Sequence, residues 1–197
     1  MINIYITDLA AYNKGLLVGK WITLPLNAVD LLIAVDEVLK EGSKACYEML
    51  GYYESHEEHF ITDYEWVLDD DADVGSLCEV GEYEDICKLN SMLQDLEDAL
   101  NKSSNHDCGY YLKQIRFLIE CGIAVNIEDA ITKTDDVIVY ENTNLSDLAY
   151  ELIEDIYGVS KLPSIISNNI DYDQIANELR LEGRYYEINR DVFEYVG

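Results

Sequence analysis

The segment ICKLNSMLQDLEDAL, residues 86–100, decides the fold of the middle of this chain. Its apolar residues follow a three–four spacing, which predicts one helix with a continuous apolar stripe. The stripe consists of Ile86, Leu89, Leu93, Leu96 and Leu100. At about 100° per residue, the opposite face receives Glu84, Asp95 and Asp98, and the stripe is flanked by Asp85 and Glu97. The segment therefore predicts a helix that packs on a core and turns carboxylates toward solvent.

The sequence on either side of this segment alternates between strand and helix patterns. Before it, we predict strands over 2–7, 18–24 and 60–67, and a helix over 28–41 that ends at Gly42. After it, we predict an apolar helix stripe through Leu118 that ends at Gly122, and then a strand over 137–141. A further helix should begin after the N-cap Asn144, run through Tyr157 and end at Gly158. The last elements are a helix over 170–181 and a hairpin of strands 184–188 and 192–196. The predicted fold class is α+β.

A break in these patterns near residues 69–75 divides the predicted architecture. We expect an elongated chain of three small lobes: an N-terminal antiparallel sheet with a helix (1–72), a helical middle (73–127) and a C-terminal α+β lobe (128–197).

The charge of the chain is strongly acidic and unevenly distributed. Forty acids oppose thirteen bases, for a net charge of −27, although 49% of the residues are apolar. Residues 48–101 carry seventeen acids and a single base, Lys88, and residues 128–157 carry nine acids and only Lys133. Soluble surfaces usually mix the two signs of charge. Two blocks that almost exclude bases therefore predict a rigid anionic surface for a partner that binds polyanions.

Composition also argues against several classes of function. No run approaches eighteen apolar residues, the start lacks the pattern of a signal peptide, and the five cysteines show no paired spacing, so we expect a cytoplasmic protein with reduced thiols. Phosphates of nucleic acid or membrane would repel the chain, so neither is an expected partner. The sequence has no nucleophile elbow, phosphate loop or dinucleotide fingerprint, and we expect neither an enzyme nor a cofactor.

Two sets of residues bear on metal binding. The run Asp69, Asp71, Asp73 and Gly75 is similar to a calcium loop, but Val74 and Val80 stand where an EF-hand needs Gly and Glu. Zinc ligands could be drawn from Cys46, His56 and His59 or from His106 and Cys108, but neither set has a paired cysteine motif. No metal is expected, and a divalent-cation protein built on 69–73 is kept as the less favoured alternative.

Three sequence blocks resemble the ArdA antirestriction family. They are IYITDLAAYNKGLLVGKWITLP at 4–25, ITDYE at 61–65 and IDYDQIANELRLEG at 170–183, and they keep the order of the family. The resemblance implies a DNA mimic from a mobile element that occupies the DNA channel of a type I restriction–modification enzyme. It also implies inhibition of restriction, often with modification, and an elongated, three-lobed homodimer.

The resemblance also places the short antirestriction motif of the family, on LAYELIEDIYGVSKLP at 148–163. The motif is linked to the dimer contact, which here implies Leu148, Ala149, Tyr150, Leu152, Ile153, Ile156, Tyr157, Gly158 and Pro163. This chain departs from the family at three positions: Tyr157 and Ser160 replace usual glycines, and Lys161 replaces a common acid.

The charge supports mimicry independently of the resemblance. B-DNA carries about one charge per 1.7 Å of axis, so a charge of −27 corresponds to about 46 Å of duplex and a dimer to about 92 Å. A compact globule of 197 residues has a radius of gyration of only about 16 Å, which favours lobes in a row.

The carboxylates expected to imitate phosphates are Asp69, Asp70, Asp71, Asp73, Glu79, Glu82, Glu84, Asp85, Asp95, Glu97, Asp98, Asp147, Glu151, Glu154 and Asp155. A mimic of this kind could also be directed at another DNA-binding protein, such as a CRISPR effector, a nucleoid protein or a transcription factor.

Overall fold

The computed structural model describes residues 1–68, 76–102 and 108–197. The α+β class is confirmed: helices accompany two small antiparallel sheets. The first sheet has the order β2-β1-β3, with β1 at Ile2–Asp8, β2 at Gly19–Leu24 and β3 at His59–Trp66. The second has the order β4-β6-β5, with β4 at Val137–Tyr140, β5 at Tyr185–Ile188 and β6 at Asp191–Tyr195.

The helices have the following bounds: α1 Leu9–Asn13, α2 Ala28–Leu50, α3 Ile86–Lys102, α4 Cys108–Glu120, α5 Ile127–Lys133, α6 Leu145–Tyr157, α7 Ser164–Ser167 and α8 Tyr172–Leu181. Short 3₁₀ turns follow α5 at Thr134–Asp136 and α6 at Val159–Lys161.

The first sheet has two chemically different faces because side chains alternate along its strands. Ile2, Ile4 and Ile6 of β1 are fully buried, and α2 packs along the strands β1 and β2. Tyr5 belongs to the opposite face, where it is paired in register with Trp21 of β2 and Asp63 of β3. That outer face is not covered by α2, and it contains a groove described below.

The predicted end of α2 at Gly42 is wrong. The helix continues to Leu50 and ends at Gly51, which adopts the left-handed conformation with φ 79°. Gly42 is buried within the helix where α2 crosses the Asp8 carboxyl group: a Cβ at Gly42 would lie 2.5 Å from Asp8 Cγ. Gly42 therefore does not end the helix but lets α2 approach the side chain of Asp8 closely. The sequence around Gly42 does not show this, because Asp8 lies far away along the chain.

The amphipathic helix of residues 86–100 is confirmed. Its stripe is buried from Ile86 to Leu96, and Leu100 is partly buried against the same core. The side chain of Asn90, also buried, joins this helix to the segment after β2, because its amide oxygen accepts from Leu26 N at 2.7 Å and its amide nitrogen donates to Leu26 O at 2.8 Å.

The C-terminal elements also follow the prediction closely. Asn144 caps α6, with its side-chain oxygen accepting from Ser146 N and Asp147 N, and Gly158 follows the helix at φ 61°. The hairpin β5–β6 turns through Asn189-Arg190, and β4 pairs with β6.

The core of the described residues runs through all three predicted lobes. One contiguous cluster extends from Ile2 on β1 through α3 and α4 to Phe193 on β6. A smaller cluster lies between α6, α8 and β6. The lobe boundaries remain a prediction, and the first of them falls outside the described residues. Within the described ranges, no helix is both long and apolar enough to cross a membrane.

The five cysteines are free, and their exposures predict an order of reactivity. Cys87 and Cys108 are exposed, Cys46 is buried, and burial raises the pKa of the Cys78 and Cys121 thiols. Because the thiolate is the reacting form, an aromatic disulfide reagent at pH 8 should modify Cys87 and Cys108 first and Cys78 and Cys121 more slowly. Cys46 should react only in denaturant. Mass spectrometry of peptides at timed intervals checks the order, which early labelling of Cys46 would contradict.

Candidate functional site

The acids before α3 form an exposed segment. Glu79, Glu82, Glu84 and Asp85 are all exposed, and none of them lies within the helix, which begins at Ile86. The prediction that Glu84 occupies the helix face is therefore wrong. The helix begins later because the Asp85 carboxylate accepts from Cys87 N at 2.9 Å and from Lys88 N at 3.2 Å, as an N-cap residue does.

The acids of α3 itself lie where the sequence predicts them. Asp95, Glu97 and Asp98 are exposed, whereas the intervening Leu96 is buried. The α-amino group of Met1 lies within electrostatic reach of Glu97: burial lowers the pKa of this amine, and the Glu97 charge opposes that effect. The helix therefore presents a solvent-facing row of carboxylates on a rigid, packed support.

The second predicted row lies on α6. Asp147, Glu151 and Asp155 are exposed and follow one another at intervals of four residues, which places them on one helix face. Glu154 is half-buried, and its two oxygens accept from the backbone and hydroxyl of Ser160 at 3.2 and 3.1 Å. Asp147 accepts from the Asn144 side chain at 2.7 Å. Ser160, one of the positions at which the chain departs from the family, therefore supplies a hydroxyl that holds the Glu154 carboxylate in place.

In the described ranges, eight of the thirteen Lys and Arg side chains form ion pairs, and all of these pairs lie away from both rows. In the described ranges the Lys and Arg ion pairs use the carboxylates of Asp36, Glu37, Glu54, Glu120, Asp129, Glu141, Glu187, Asp191 and Glu194. None of the predicted phosphate-like carboxylates that the structure describes belongs to such a pair. The described acids of the two rows therefore form no ion pair with a base, although Lys88 and Lys102 lie on α3 and Lys161 follows α6, whereas several acids elsewhere are neutralised by direct pairing.

The acids of the first row that lie within a helix are all on α3, and those of the second row are all on α6. These two helices pack on different neighbours. Helix α3 packs on α5, whereas α6 packs on α8. Asp69, Asp70, Asp71 and Asp73 lie outside the described residues, together with the calcium-like pattern around them.

The antirestriction motif divides into buried and exposed parts. Leu148 and Ala149 are buried in the core of their own chain, Leu152 and Ile153 are half-buried, and Gly158 provides the left-handed turn after the helix. Tyr150, Ile156, Tyr157 and Pro163 are exposed. Ile156 continues the helix face of Leu145, Leu148 and Leu152 in the sequence, a pattern that predicts burial, but it is 67% exposed. The reason is that the small core between α6 and α8 ends at Leu152, one turn earlier.

A groove on the outer face of the first sheet was missed by sequence reasoning. Its lining includes Tyr5, Tyr12, Trp21, Asp63 and Glu82, and its volume is about 710 Å³. The sequence signal that could have indicated this face is the alternation of side chains along β3. Asp63 and Glu65 are two residues apart and so lie on one face of the sheet, and Asp63 pairs in register with Tyr5 of the adjacent strand.

Two of the histidines considered as zinc ligands, His56 and His59, have structural surroundings, and the third, His106, lies outside the described residues. His56 Nδ1 lies 2.7 Å from Asp8 Oδ2, with both side chains fully buried, and Asp8 Oδ1 accepts from Ala11 N at the start of α1. Burial lowers the pKa of His59, which disfavours its charged form. Among the described residues, no group of three His, Cys, Asp or Glu side chains is arranged to hold a metal ion.

The comparison with protein families gives one extensive match. The family model described as "Antirestriction protein (ArdA)" matches residues 4–194 and so covers nearly the whole chain, including both acidic rows and the motif at 148–163. No curated protein matches the chain. The extent of the family match decides the assignment: this chain belongs to the ArdA antirestriction family.

Proposed function

We propose that this chain is a DNA mimic that occupies the DNA-binding groove of a type I restriction–modification enzyme and inhibits it without catalysis. The observation that carries the proposal is the separation of charges. Carboxylates on α3, on the segment before it and on α6 are exposed, apart from the half-buried Glu154, and form no Lys or Arg ion pair in the described ranges, whereas the eight bases that do form ion pairs there use other acids. A basic groove that normally receives phosphates would meet these carboxylates first.

The spacing of the acids explains why several rows are needed. A helix rises about 1.5 Å per residue, so acids four residues apart on α6 supply one charge per about 6 Å. Duplex DNA supplies about one charge per 1.7 Å. A single row therefore provides less than a third of the density of DNA, and the function must depend on rows acting together. Single charge removals are expected to have small effects.

A competition assay with a purified type I methyltransferase core tests the proposal. Labelled target DNA should be displaced by the chain at a stoichiometric ratio, and more weakly at 0.3 M than at 0.1 M salt, because screening weakens attraction between exposed charges. The displaced DNA should be chemically unchanged. Displacement that is insensitive to salt, or DNA that is altered during the assay, would contradict the proposal.

We also propose that the chain forms a homodimer through the end of α6 and the segment that follows. Ile156, Tyr157 and Ile165 are 67%, 64% and 79% exposed, an unusual concentration of large apolar side chains on a soluble surface. They lie in and directly after the motif that the resemblance links to the dimer contact.

The dimer proposal predicts that substitutions in this surface lower the association constant of the chain. The double substitution Ile156→Ser and Ile165→Ser removes apolar area from the contact and should weaken dimerisation by at least about tenfold, since burial of one such side chain contributes about 1.5–3 kcal/mol. Sedimentation equilibrium of the full chain measures the association constant. Val125→Ser is the control, because Val125 is likewise a β-branched aliphatic residue and is 86% exposed but lies in a turn elsewhere. Equal association of all three proteins would exclude this surface.

A further inference from the structure

A second recognition site is suggested by the groove on the outer face of the first sheet. Its floor is the strand row in which Trp21, Tyr5 and Asp63 stand side by side on β2, β1 and β3. Tyr12 from α1 and Glu82 from the segment before α3 complete its walls. The groove is open, and its volume of about 710 Å³ would hold a long side chain with part of its backbone.

The aromatic rings of the groove are held by one another and remain accessible. The rings of Tyr5 and Trp21 meet edge to face at 5.3 Å between centroids, and those of Tyr12 and Phe60 at 5.1 Å. Trp21 is 47% and Tyr12 51% exposed, whereas Phe60 is buried. Exposed indole and phenol rings on a fixed support favour the binding of a cation over their faces.

The charge of the groove is wholly negative. Asp63 and Glu82 are both exposed and belong to no Lys or Arg ion pair within the described residues, and no base is among the residues that line the groove. One oxygen of Asp63 accepts from Tyr64 N at 2.8 Å, which orients the carboxylate. The nearby base of β2, Lys20, is instead paired with Glu37 on α2.

We propose that this groove binds an arginine side chain presented by a protein partner. The guanidinium group would stack on the ring of Trp21 or Tyr5 while donating to the carboxylates of Asp63 and Glu82. Arginine fits better than lysine because its planar group combines stacking on aromatic rings with several donors in a fixed fork. A duplex or a phosphate is disfavoured by the same two carboxylates. The groove would add a specific contact to the diffuse attraction of the acidic rows: it shares Glu82 with the acidic segment before α3 but uses none of the carboxylates of α3 or α6.

The test uses the full chain labelled with ¹⁵N and the peptide acetyl-Gly-Arg-Gly-amide, with lysine and citrulline peptides as comparisons. The arginine peptide should shift the Trp21 indole signal and leave that of Trp66, whose indole donates to Cys78 O at 3.0 Å, nearly unchanged. The citrulline peptide, which has the same shape without the charge, should not bind. Binding by citrulline, or shifts confined to α3 and α6, would overturn the proposal.

Two variants separate this groove from general attraction between a cation and an acidic protein. Asp63→Asn with Glu82→Gln should weaken arginine binding about 5- to 30-fold, the effect of two exposed ion pairs. Glu178→Gln with Glu182→Gln removes the same charge from exposed positions on and just after α8 and should change binding less than about twofold. Equal losses in the two double variants would overturn the proposal.

The contribution of the aromatic ring is tested separately. Trp21→Leu keeps the charge and much of the apolar area but removes the ring face, so the preference for the arginine peptide over the lysine peptide should disappear. A preference that persists in Trp21→Leu would contradict the proposed stacking. Because the probe is a free peptide, failure of this proposal is distinguishable from failure of the enzyme inhibition described above.

Discussion

Neutralising four carboxylates of the first acidic block together is expected to weaken inhibition of a type I enzyme by about 30- to 1,000-fold. The substitutions are Glu84→Gln, Asp95→Asn, Glu97→Gln and Asp98→Asn. Each removes an exposed charge without changing the side-chain size, at about 0.5–1 kcal/mol per lost ion pair with the basic groove. Asp85 is left unchanged because its carboxylate caps α3. Titration of the enzyme in a restriction assay at fixed salt measures the loss.

The control for this experiment removes the same charge elsewhere. Glu41, Glu128, Glu178 and Glu182 are exposed and take part in no Lys or Arg ion pair in the described part of the chain, and none is among the carboxylates expected to imitate phosphates, although Glu128 is the first acid of the second block. Their joint replacement by Gln should reduce inhibition by less than about fivefold, because only the long-range field changes. If both quadruple variants lost activity equally, net charge rather than placed charge would explain inhibition. If neither lost activity, the first block would not be part of the binding surface.

Replacing Asp8 by Ala is expected to reduce the free energy of unfolding by about 3–5 kcal/mol. The Asp8 carboxylate is fully buried, contacts His56 Nδ1 at 2.7 Å and caps α1 through Ala11 N. Removing one member of a buried pair leaves the other without its partner in an environment that solvates it poorly. A domain of ordinary stability has about 5–15 kcal/mol in total, so the variant should be close to its unfolding limit. Urea denaturation followed by circular dichroism measures the change.

Two further substitutions test this explanation: a control at an exposed acid, and a change at Gly42, which contacts Asp8. Glu41→Ala removes an exposed acid one residue before Gly42 and should change stability by less than about 0.5 kcal/mol. Gly42→Ala alone should cost about 1–3 kcal/mol, because the added Cβ would meet the Asp8 carboxyl group. In the Asp8→Ala background that cost should fall by at least about 1 kcal/mol, since the carboxyl group is gone. If the two changes in the free energy of unfolding were additive, Asp8 and the Cβ added at Gly42 would not interact, which would contradict this prediction.

Much of the fold was predictable where the deciding residues are close in sequence. Helix α6 is an example: Asn144 and Gly158 stand at its two ends and act there as the N-cap and the left-handed turn. The apolar stripe of α3 likewise appears as a buried face. Such features follow from backbone hydrogen bonding and helical periodicity, which operate over a few residues.

The errors occurred where a second element decides the outcome. Gly42 has the sequence signature of a helix end, yet it lies inside α2 because Asp8 is packed against it. Ile156 continues the apolar stripe of α6, yet it is exposed because the core beneath that helix ends one turn earlier. Glu84 fits the helical wheel of α3, yet the Asp85 cap begins the helix after it.

The candidate site divides in the same way. The sequence by itself determined that the chain is acidic, that its acids are grouped, and that α3 and α6 are amphipathic, because composition and periodicity are properties of neighbouring residues. Only the tertiary structure decided which acids are neutralised, since ion pairs such as Lys113 with Asp191 join distant residues. It alone assembled the aromatic groove, because Tyr5, Trp21 and Asp63 become neighbours through strand pairing. Contacts of that kind depend on distances in space, which a linear pattern of residue types does not encode.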